Sequence, residues 1–131
     1  MNINKMVKYG LLTMAYIAKN SKDGFVKTSS MSKEYGIPEM YLTRVTLSLA
    51  RANLLRSKRG PRGGYTLSRP AQEISMLEII ETLEGSLDKT MEITQYTKHA
   101  PFIVNMETIC KDAVAKAKDI LQKTKLSQMI E

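Results

Sequence analysis

The sequence predicts a mainly α-helical fold with one small β-hairpin and a long helix towards its end. Two observations carry this prediction. Apolar residues recur at helical spacing in several segments, for example at Val7, Leu11 and Met14. Two short apolar runs flank a loop dense in arginine and glycine, which is the pattern of a hairpin with an exposed tip. The 131 residues are enough for one modest hydrophobic core.

Three helices are predicted first, over residues 4–20, 28–35 and 38–52. Thr28 or Ser29 is the predicted cap of the second helix, and Gly36 supplies the left-handed conformation that ends it. Pro38 suits the first position of the third helix, where no backbone N–H is needed. Asn53 is the predicted left-handed residue after the third helix. Two helices joined by a tight Gly-Ile turn form a helix–turn–helix.

The hairpin is predicted directly after the third helix, with its strands at 53–55 and 65–67. Its tip is expected to carry Lys58, Arg59, Gly60 and Arg62. Such a basic tip is poorly suited to a core and well suited to a phosphate backbone or a narrow minor groove. A hairpin in this place is a wing, so the predicted fold class is a winged helix–turn–helix followed by a long helix.

The second half is predicted to hold a short helix, a loop and the long helix. Ser75 to Glu78 has the capping-box spacing that opens a helix reaching about Leu83. Residues 85–105 show no clean period and are interpreted as a loop with at most one helical turn. Residues 106–123 have helical spacing, and Thr124 is the predicted cap of a last short helix.

Charge is distributed unevenly along the chain. Residues 1–70 hold 13 Lys and Arg and 3 Asp and Glu, a net charge of +10, whereas residues 71–131 carry a net charge of −3. The first half is therefore the candidate polyanion-binding half. A solvated basic surface is the alternative interpretation.

The third helix offers the side chains for a DNA contact, because the first turn of a recognition helix faces base edges in the major groove. Arg44 suits a bidentate contact to guanine, and Thr43 suits a base hydrogen bond or a thymine methyl contact. Tyr41 either bonds a phosphate or packs at the base of the helix.

Several functional classes are disfavoured. The sequence shows no nucleophile–base pair or clustered carboxylates, and it has one histidine and one cysteine, so an enzyme is not expected. A single cysteine excludes an intramolecular disulfide and fits a reducing cytoplasm. No apolar run approaches the roughly 20 residues that span a bilayer, and the N-terminal segment is interpreted as a mature helix, so no membrane contact is expected.

Three motifs together resemble a bacterial family of winged-helix regulators typified by IscR, NsrR and CymR, the Rrf-two family. They are Gly36-Ile37-x-x-x-Tyr41-Leu42, Arg59-Gly60-Pro61-x-Gly63-Gly64-Tyr65 and Ile74-Ser75-x-x-Glu78-Ile79-Ile80-x-x-Leu83-Glu84-Gly85. The resemblance implies a homodimeric transcription regulator that binds double-stranded DNA at a palindromic site and dimerises through the long helix.

The same resemblance implies roles for particular residues. Tyr41, Thr43 and Arg44 fall on base-contacting positions, and Arg59 falls on the minor-groove position. Thr43 and Arg44 replace a glutamate and a glutamine of the iron–sulfur type of member, and Pro38 replaces a common serine. A different operator sequence is therefore expected.

The resemblance also raises the question of a sensor. Many members hold an iron–sulfur cluster with three cysteines in the loop before the long helix, but residues 86–105 contain none here. Cys110 and His99 are too few for a cluster, so no cofactor is expected. Cys110 is either a redox switch at the dimer interface or a small buried helix residue. A small molecule or a protein is the alternative effector.

These expectations divide the chain into a DNA-binding domain at 1–84, an effector loop at 85–105 and a dimerisation helix with a C-terminal segment at 106–131. The leading hypothesis is a sequence-specific repressor that works in the cytoplasm, on the nucleoid. The alternatives are a winged-helix protein-interaction module and a non-specific nucleoid-binding protein.

Overall fold

The structure of the protein is a computed structural model that describes residues 4–91 and 101–131. In these ranges it contains six α-helices and one antiparallel pair of strands: α1 Lys5–Asn20, α2 Thr28–Tyr35, α3 Glu39–Arg51, β1 Leu55–Lys58, β2 Gly64–Leu67, α4 Met76–Glu84, α5 Pro101–Lys123 and α6 Leu126–Met129. Short 3₁₀ turns lie at Ser21–Asp23, Ala71–Glu73 and Leu87–Met91. The predicted fold class is confirmed.

The predicted turn residues define the ends of the helices. Gly36 has a φ of 67° and Asn53 a φ of 65°, so both adopt the left-handed conformation that ends α2 and α3. Ser75 caps α4, since its hydroxyl accepts a hydrogen bond from the backbone N–H of Glu78 at 3.1 Å. These three positions were predicted from local sequence alone.

Two predicted helix starts are shifted by one residue. Lys27 occupies the cap position of α2 without a side-chain cap, and Thr28 is already helical. The prediction of Thr28 or Ser29 as the cap of α2 was therefore wrong. Pro38 is the cap of α3, and Glu39 is the first residue of that helix. At the chain end Thr124 does not cap α6, because its hydroxyl donates back to the carbonyl oxygen of Ile120 at 2.8 Å.

The hairpin begins later than predicted. The left-handed Asn53 turns the chain, and the N–H of Leu54 donates to the carbonyl oxygen of Leu49 at 2.9 Å. This turn occupies residues that were predicted as strand, so β1 starts at Leu55. As a result Lys58 pairs with Gly64 in the last rung of the ladder and does not lie in the tip.

Helix α5 begins five residues before the predicted start at 106. Pro101 is its first residue, a position that proline tolerates because the first N–H of a helix has no partner within the helix. The prediction of a loop up to 105 was therefore wrong for 101–105. The turn at Leu87–Met91 fits the single helical turn expected there. Residues 92–100, with His99, lie outside the described residues.

The main core is built around α1, which packs against α3 and α4. Met14, Leu49, Ile79 and Leu126 are all fully buried in it. Gly10 lets α1 and α4 approach closely, because a Cβ atom there would lie 2.0 Å from Cδ1 of Leu83.

The end of α5 is tied to the start of α4. The N–H of Met76 donates to the carbonyl oxygen of Thr124 at 2.9 Å, and the N–H of Leu126 donates to that of Ile74 at 2.8 Å. This short antiparallel bridge fixes the C-terminal end of α5 on the body that carries the wing. Among the helices of the described residues, none combines the length and apolarity needed to cross a bilayer.

Candidate nucleic-acid interface

Helix α3 presents one face to the core and the opposite face to solvent. Leu42, Val45 and Leu49 are fully buried, whereas Thr43 and Arg44 are exposed. The amphipathic spacing of the sequence thus places the two predicted base-contacting residues on the free face of the helix.

Two hydroxyl-bearing residues of α3 are held differently. The hydroxyl of Thr43 donates to the carbonyl oxygen of Glu39 at 2.9 Å, so its proton is engaged within the helix. Tyr41 is half-buried, and its ring centroid lies 5.6 Å from that of Tyr9 on α1. The ammonium of Lys5 lies 5.6 Å from the same ring. Tyr41 therefore packs at the base of the helix, and its contact with DNA stays a prediction.

The tip of the wing, residues 59–63, is a tight turn with its charges outside. The N–H of Gly63 donates to the carbonyl oxygen of Gly60 at 2.9 Å. Gly63 is buried against the backbone, and a Cβ atom there would lie 2.1 Å from the carbonyl oxygen of Lys58. Arg59 and Arg62 are exposed on this turn. The glycine spacing therefore sets the turn that displays both arginines.

The wing is fastened to the helix–turn–helix by a third extended segment that sequence analysis missed. Val26 and Tyr65 exchange two backbone hydrogen bonds, each 2.8 Å long. Gly64 permits this approach: its φ is 138°, and a Cβ atom there would lie 2.4 Å from the carbonyl oxygen of Val26. Only the short pair Phe25-Val26 after Gly24 signals this segment in the sequence.

Lys58 lies beside the same segment. Its ammonium is 5.6 Å from the ring centroid of Phe25, within reach of a cation–π contact. Lys58, Arg62 and Lys27 line an open cleft between the wing and the start of α2. Lys27 was not predicted as a site residue, because nothing in its own neighbourhood distinguishes it from other exposed lysines.

The charged side chains of the wing segment itself are all basic. Residues 51–70 contain six Lys and Arg and no Asp or Glu. Arg69 is used within the fold, where it pairs with the carboxylate of Glu78 and donates to the carbonyl oxygen of Glu73 at 2.8 Å. The remaining basic side chains of the wing are exposed, as is Arg44 on α3, and exposed basic side chains suit a polyanion.

The donor set does not fit an iron–sulfur cluster. Cys110, the only cysteine of the sequence, is half-buried on α5. Within residues 4–91 and 101–131 no three His, Cys, Asp or Glu side chains are grouped to hold a metal ion. Thiolates from one protomer therefore cannot provide the ligands that such a cluster needs.

A helix–turn–helix with a basic exposed face, followed at once by a glycine-turned hairpin, defines a winged helix–turn–helix protein. The chain belongs to the Rrf2 family, described as iron-dependent transcriptional regulators, whose pattern matches residues 3–131. The family is one of transcriptional regulators and not of enzymes, in agreement with the expectation from sequence.

Individual relatives agree with this assignment. IscR of Cronobacter sakazakii is 33% identical over 90 residues, which cover 69% of this chain and 56% of the relative. The structure of the global cysteine regulator CymR of B. subtilis superposes with a TM-score of 0.86 at 25% identity, covering 99% of this chain and 96% of that one. CymR of Staphylococcus aureus in its oxidized form gives 0.77 at 34% identity, covering 100% and 97%.

The curated relatives are longer than the matched part of this chain. The matches cover 61%, 58% and 56% of relatives from Neisseria meningitidis, Mycobacterium tuberculosis and Cronobacter sakazakii. The comparisons therefore give the family and the fold, and the activity of the whole protein is argued from its own residues.

Proposed function

We propose that the protein is a sequence-specific DNA-binding transcription regulator that acts as a repressor. The observation that carries the proposal is that α3 and the wing, two consecutive elements, both present exposed arginine side chains. Thr43 and Arg44 lie on the free face of α3, and Arg59 and Arg62 lie on a tip whose backbone is fixed by glycines. In this proposal α3 enters the major groove and Arg59 the adjacent minor groove, with Tyr41 and Lys58 at phosphates.

Helix α5 supports a homodimer. Phe102, Met106, Ile109 and Ile120 expose between 48% and 68% of their surfaces on one side of the helix. Together with Ala113 they alternate in steps of three, four or seven residues, which is the spacing of a helix–helix seam. We propose that a second copy of this chain covers this stripe. Cys110 follows Ile109 directly in the sequence and therefore lies beside the stripe and not in it.

A twofold dimer matches a palindromic operator, because each α3 then meets the same half-site. Repression follows from occupancy: a protein bound across a promoter excludes polymerase without needing a further contact surface. The proposal places this action on the nucleoid, in the cytoplasm.

The segment 85–105 connects the winged helix–turn–helix to the long helix. We propose that a small molecule or a protein acts on this segment as the effector. Its described turn contacts both neighbours. The N–H of Leu87 donates to the Glu81 carboxylate on α4 at 2.9 Å, and Asp88 pairs with Lys118 on α5 at 2.9 Å. The proposal includes no cofactor, since the donor set does not fit a cluster.

The test is a selection of binding sites from a random DNA pool, followed by titrations of the selected site and of competitor DNA. We expect two inverted half-sites about 10 base pairs apart and a preference on the order of 10³ or more over competitor DNA. Arg44→Ala should relax the preference at one position of each half-site, with Lys33→Ala as the control on α2.

Two results would contradict the proposal. Tight binding without preference would indicate a non-specific nucleoid protein, and no DNA binding at physiological salt would indicate a protein-interaction module. A promoter fusion in cells then separates repression from activation by the sign of the change when the protein is depleted.

A further inference from the structure

The exposed face of α3 has an apolar centre. Met40 exposes 64% of its surface and Leu47 exposes 45%. They are seven residues apart, which is about two helical turns, so they lie on one line about 10.5 Å apart along the axis. The buried residues Leu42, Val45 and Leu49 lie on the opposite side. Met40 and Leu47 are therefore the side chains directed most squarely away from the core.

Thr43 continues this line between the two. It follows Met40 by three positions and precedes Leu47 by four, the spacing of neighbours on one helix face. Its hydroxyl proton is engaged by the carbonyl oxygen of Glu39 at 2.9 Å. The γ-methyl group is thus the apolar part of Thr43 that is available to a partner, and the three residues form a continuous apolar row.

The surroundings of the row favour DNA over a protein as its occupant. Arg44 and Arg51 flank it on the exposed side of α3, and the basic wing follows. Three side chains also provide much less area than the roughly 800 Å² that each partner of a stable protein interface buries. The apolar group that the major groove presents among its polar edges is the C5-methyl group of thymine.

We propose that Met40, Thr43 and Leu47 contact thymine methyl groups and thereby determine the specificity of the half-site. The inference rests on the proposed function of α3. The distance between Met40 and Leu47 corresponds to about three base-pair steps of 3.4 Å. Each half-site therefore carries thymines about three base pairs apart, next to the guanine that Arg44 contacts.

The experiment replaces the thymines of the selected half-site by deoxyuridine one at a time. This substitution removes one methyl group and keeps the base pair. We expect about fourfold weaker binding for each contacted methyl group, the factor that corresponds to burial of one carbon. At a contacted position, 5-methylcytosine should also bind more tightly than cytosine, because it restores the methyl group.

Protein variants assign the methyl groups to side chains. In Leu47→Ala, replacement of one particular thymine by deoxyuridine should no longer weaken binding. In Met40→Ala the same should hold for a different thymine, while the remaining replacements weaken binding as they do for the unchanged protein. Leu12→Ala is the matched control, because Leu12 is a partly exposed leucine of α1 outside the interface. It should keep the whole pattern.

Specific binding without any uracil effect, or a uracil pattern unchanged in Leu47→Ala and Met40→Ala, overturns the inference and leaves the regulator proposal standing. Absence of any preferred DNA site would instead contradict the proposed function itself. Specific binding of a protein at the row, in place of DNA, would likewise overturn the inference.

Discussion

At the scale of the residue, the wing depends on positions where only glycine fits. Gly63 and Gly64 each face backbone atoms that a Cβ atom would approach within 2.4 Å. Backbone cannot move aside as a flexible side chain can, so a larger residue must change the turn itself. The motif Arg-Gly-Pro-x-Gly-Gly is therefore a backbone requirement that serves to place Arg59 and Arg62.

Gly63→Ala should accordingly distort the tip and weaken DNA binding. We expect a loss of stability on the order of 1–3 kcal/mol, in the range of single changes that introduce strain. The measurements are a denaturant titration and a binding titration on the selected site. Pro61→Ala, an exposed change in the same tip, should alter stability by much less; equal effects of the two changes would refute the role given to the glycine.

Arg59→Ala should weaken binding at every sequence and flatten its salt dependence. Each positive charge lost from the DNA surface leaves one DNA charge unneutralised and lowers the slope of log K against log salt by about 0.9, hence by about 1.8 for the two wings of a dimer. The slope is measured by titrations at several salt concentrations. Lys123→Ala, an exposed change at the C-terminal end of α5 and outside α3 and the wing, should leave the slope unaltered. A wild-type slope in Arg59→Ala would show that the wing does not touch DNA.

At the scale of the element, the sequence predicted what local chemistry determines. Gly36, Asn53 and Ser75 were assigned correctly because a left-handed residue or a helix cap is specified within four residues. The bridge between Val26 and Tyr65 was missed, since it joins residues 39 positions apart and depends on the folded arrangement of both. The start of α5 was missed because residues 101–105 were included in a segment that shows no clean helical period.

The turn at Leu87–Met91 gives a prediction about pH. A hydrogen bond from Lys118 at 2.9 Å lowers the pKa of Asp88 below its ordinary value. The stabilisation is therefore present at neutral pH and is lost as the pH falls through the folded-state pKa of Asp88. In Lys118→Met the pKa of Asp88 should rise towards its ordinary value, as followed by NMR of the carboxyl carbon.

A matched variant is available on the same helix. Lys123→Met removes the pair that Lys123 makes with Asp119 at 2.9 Å and should leave the titration of Asp88 unchanged. The same low pKa of Asp88 in Lys118→Met would contradict the assigned cause. Both pairs lie at the surface, although Lys118 is half-buried, so neither change is expected to affect global stability strongly.

At the scale of the whole molecule, the stripe on α5 predicts the oligomeric state. Ile109→Asp places a charge in the centre of the stripe and should convert a dimer into monomers, because the carboxylate would be buried without a partner. Sedimentation measures the mass, and binding to a full operator should fall towards that of one half-site. Ala115→Asp adds the same charge on an exposed part of α5 away from the stripe and should stay dimeric.

The candidate site shows the limits of sequence at this scale. Thr43, Arg44, Arg59 and Arg62 were placed on exposed elements by periodicity and turn chemistry, and they are exposed in the structure. Lys58 was assigned to the tip and lies in β1, since the left-handed Asn53 delays the start of the strand and the ladder continues to the pair Lys58–Gly64. Lys27 gains its place in the cleft only through the tertiary bridge next to it.

The position of Leu126 has a consequence for the order in which the chain folds. This residue is fully buried in the same core cluster as Met14 and Ile17 of α1 and Leu49 of α3. On the ribosome those helices are synthesised long before Leu126, so the first half of the chain spends part of its synthesis with an open apolar gap. Its final packing is set only after residue 126 is made, which makes a truncated nascent chain a natural target for chaperones.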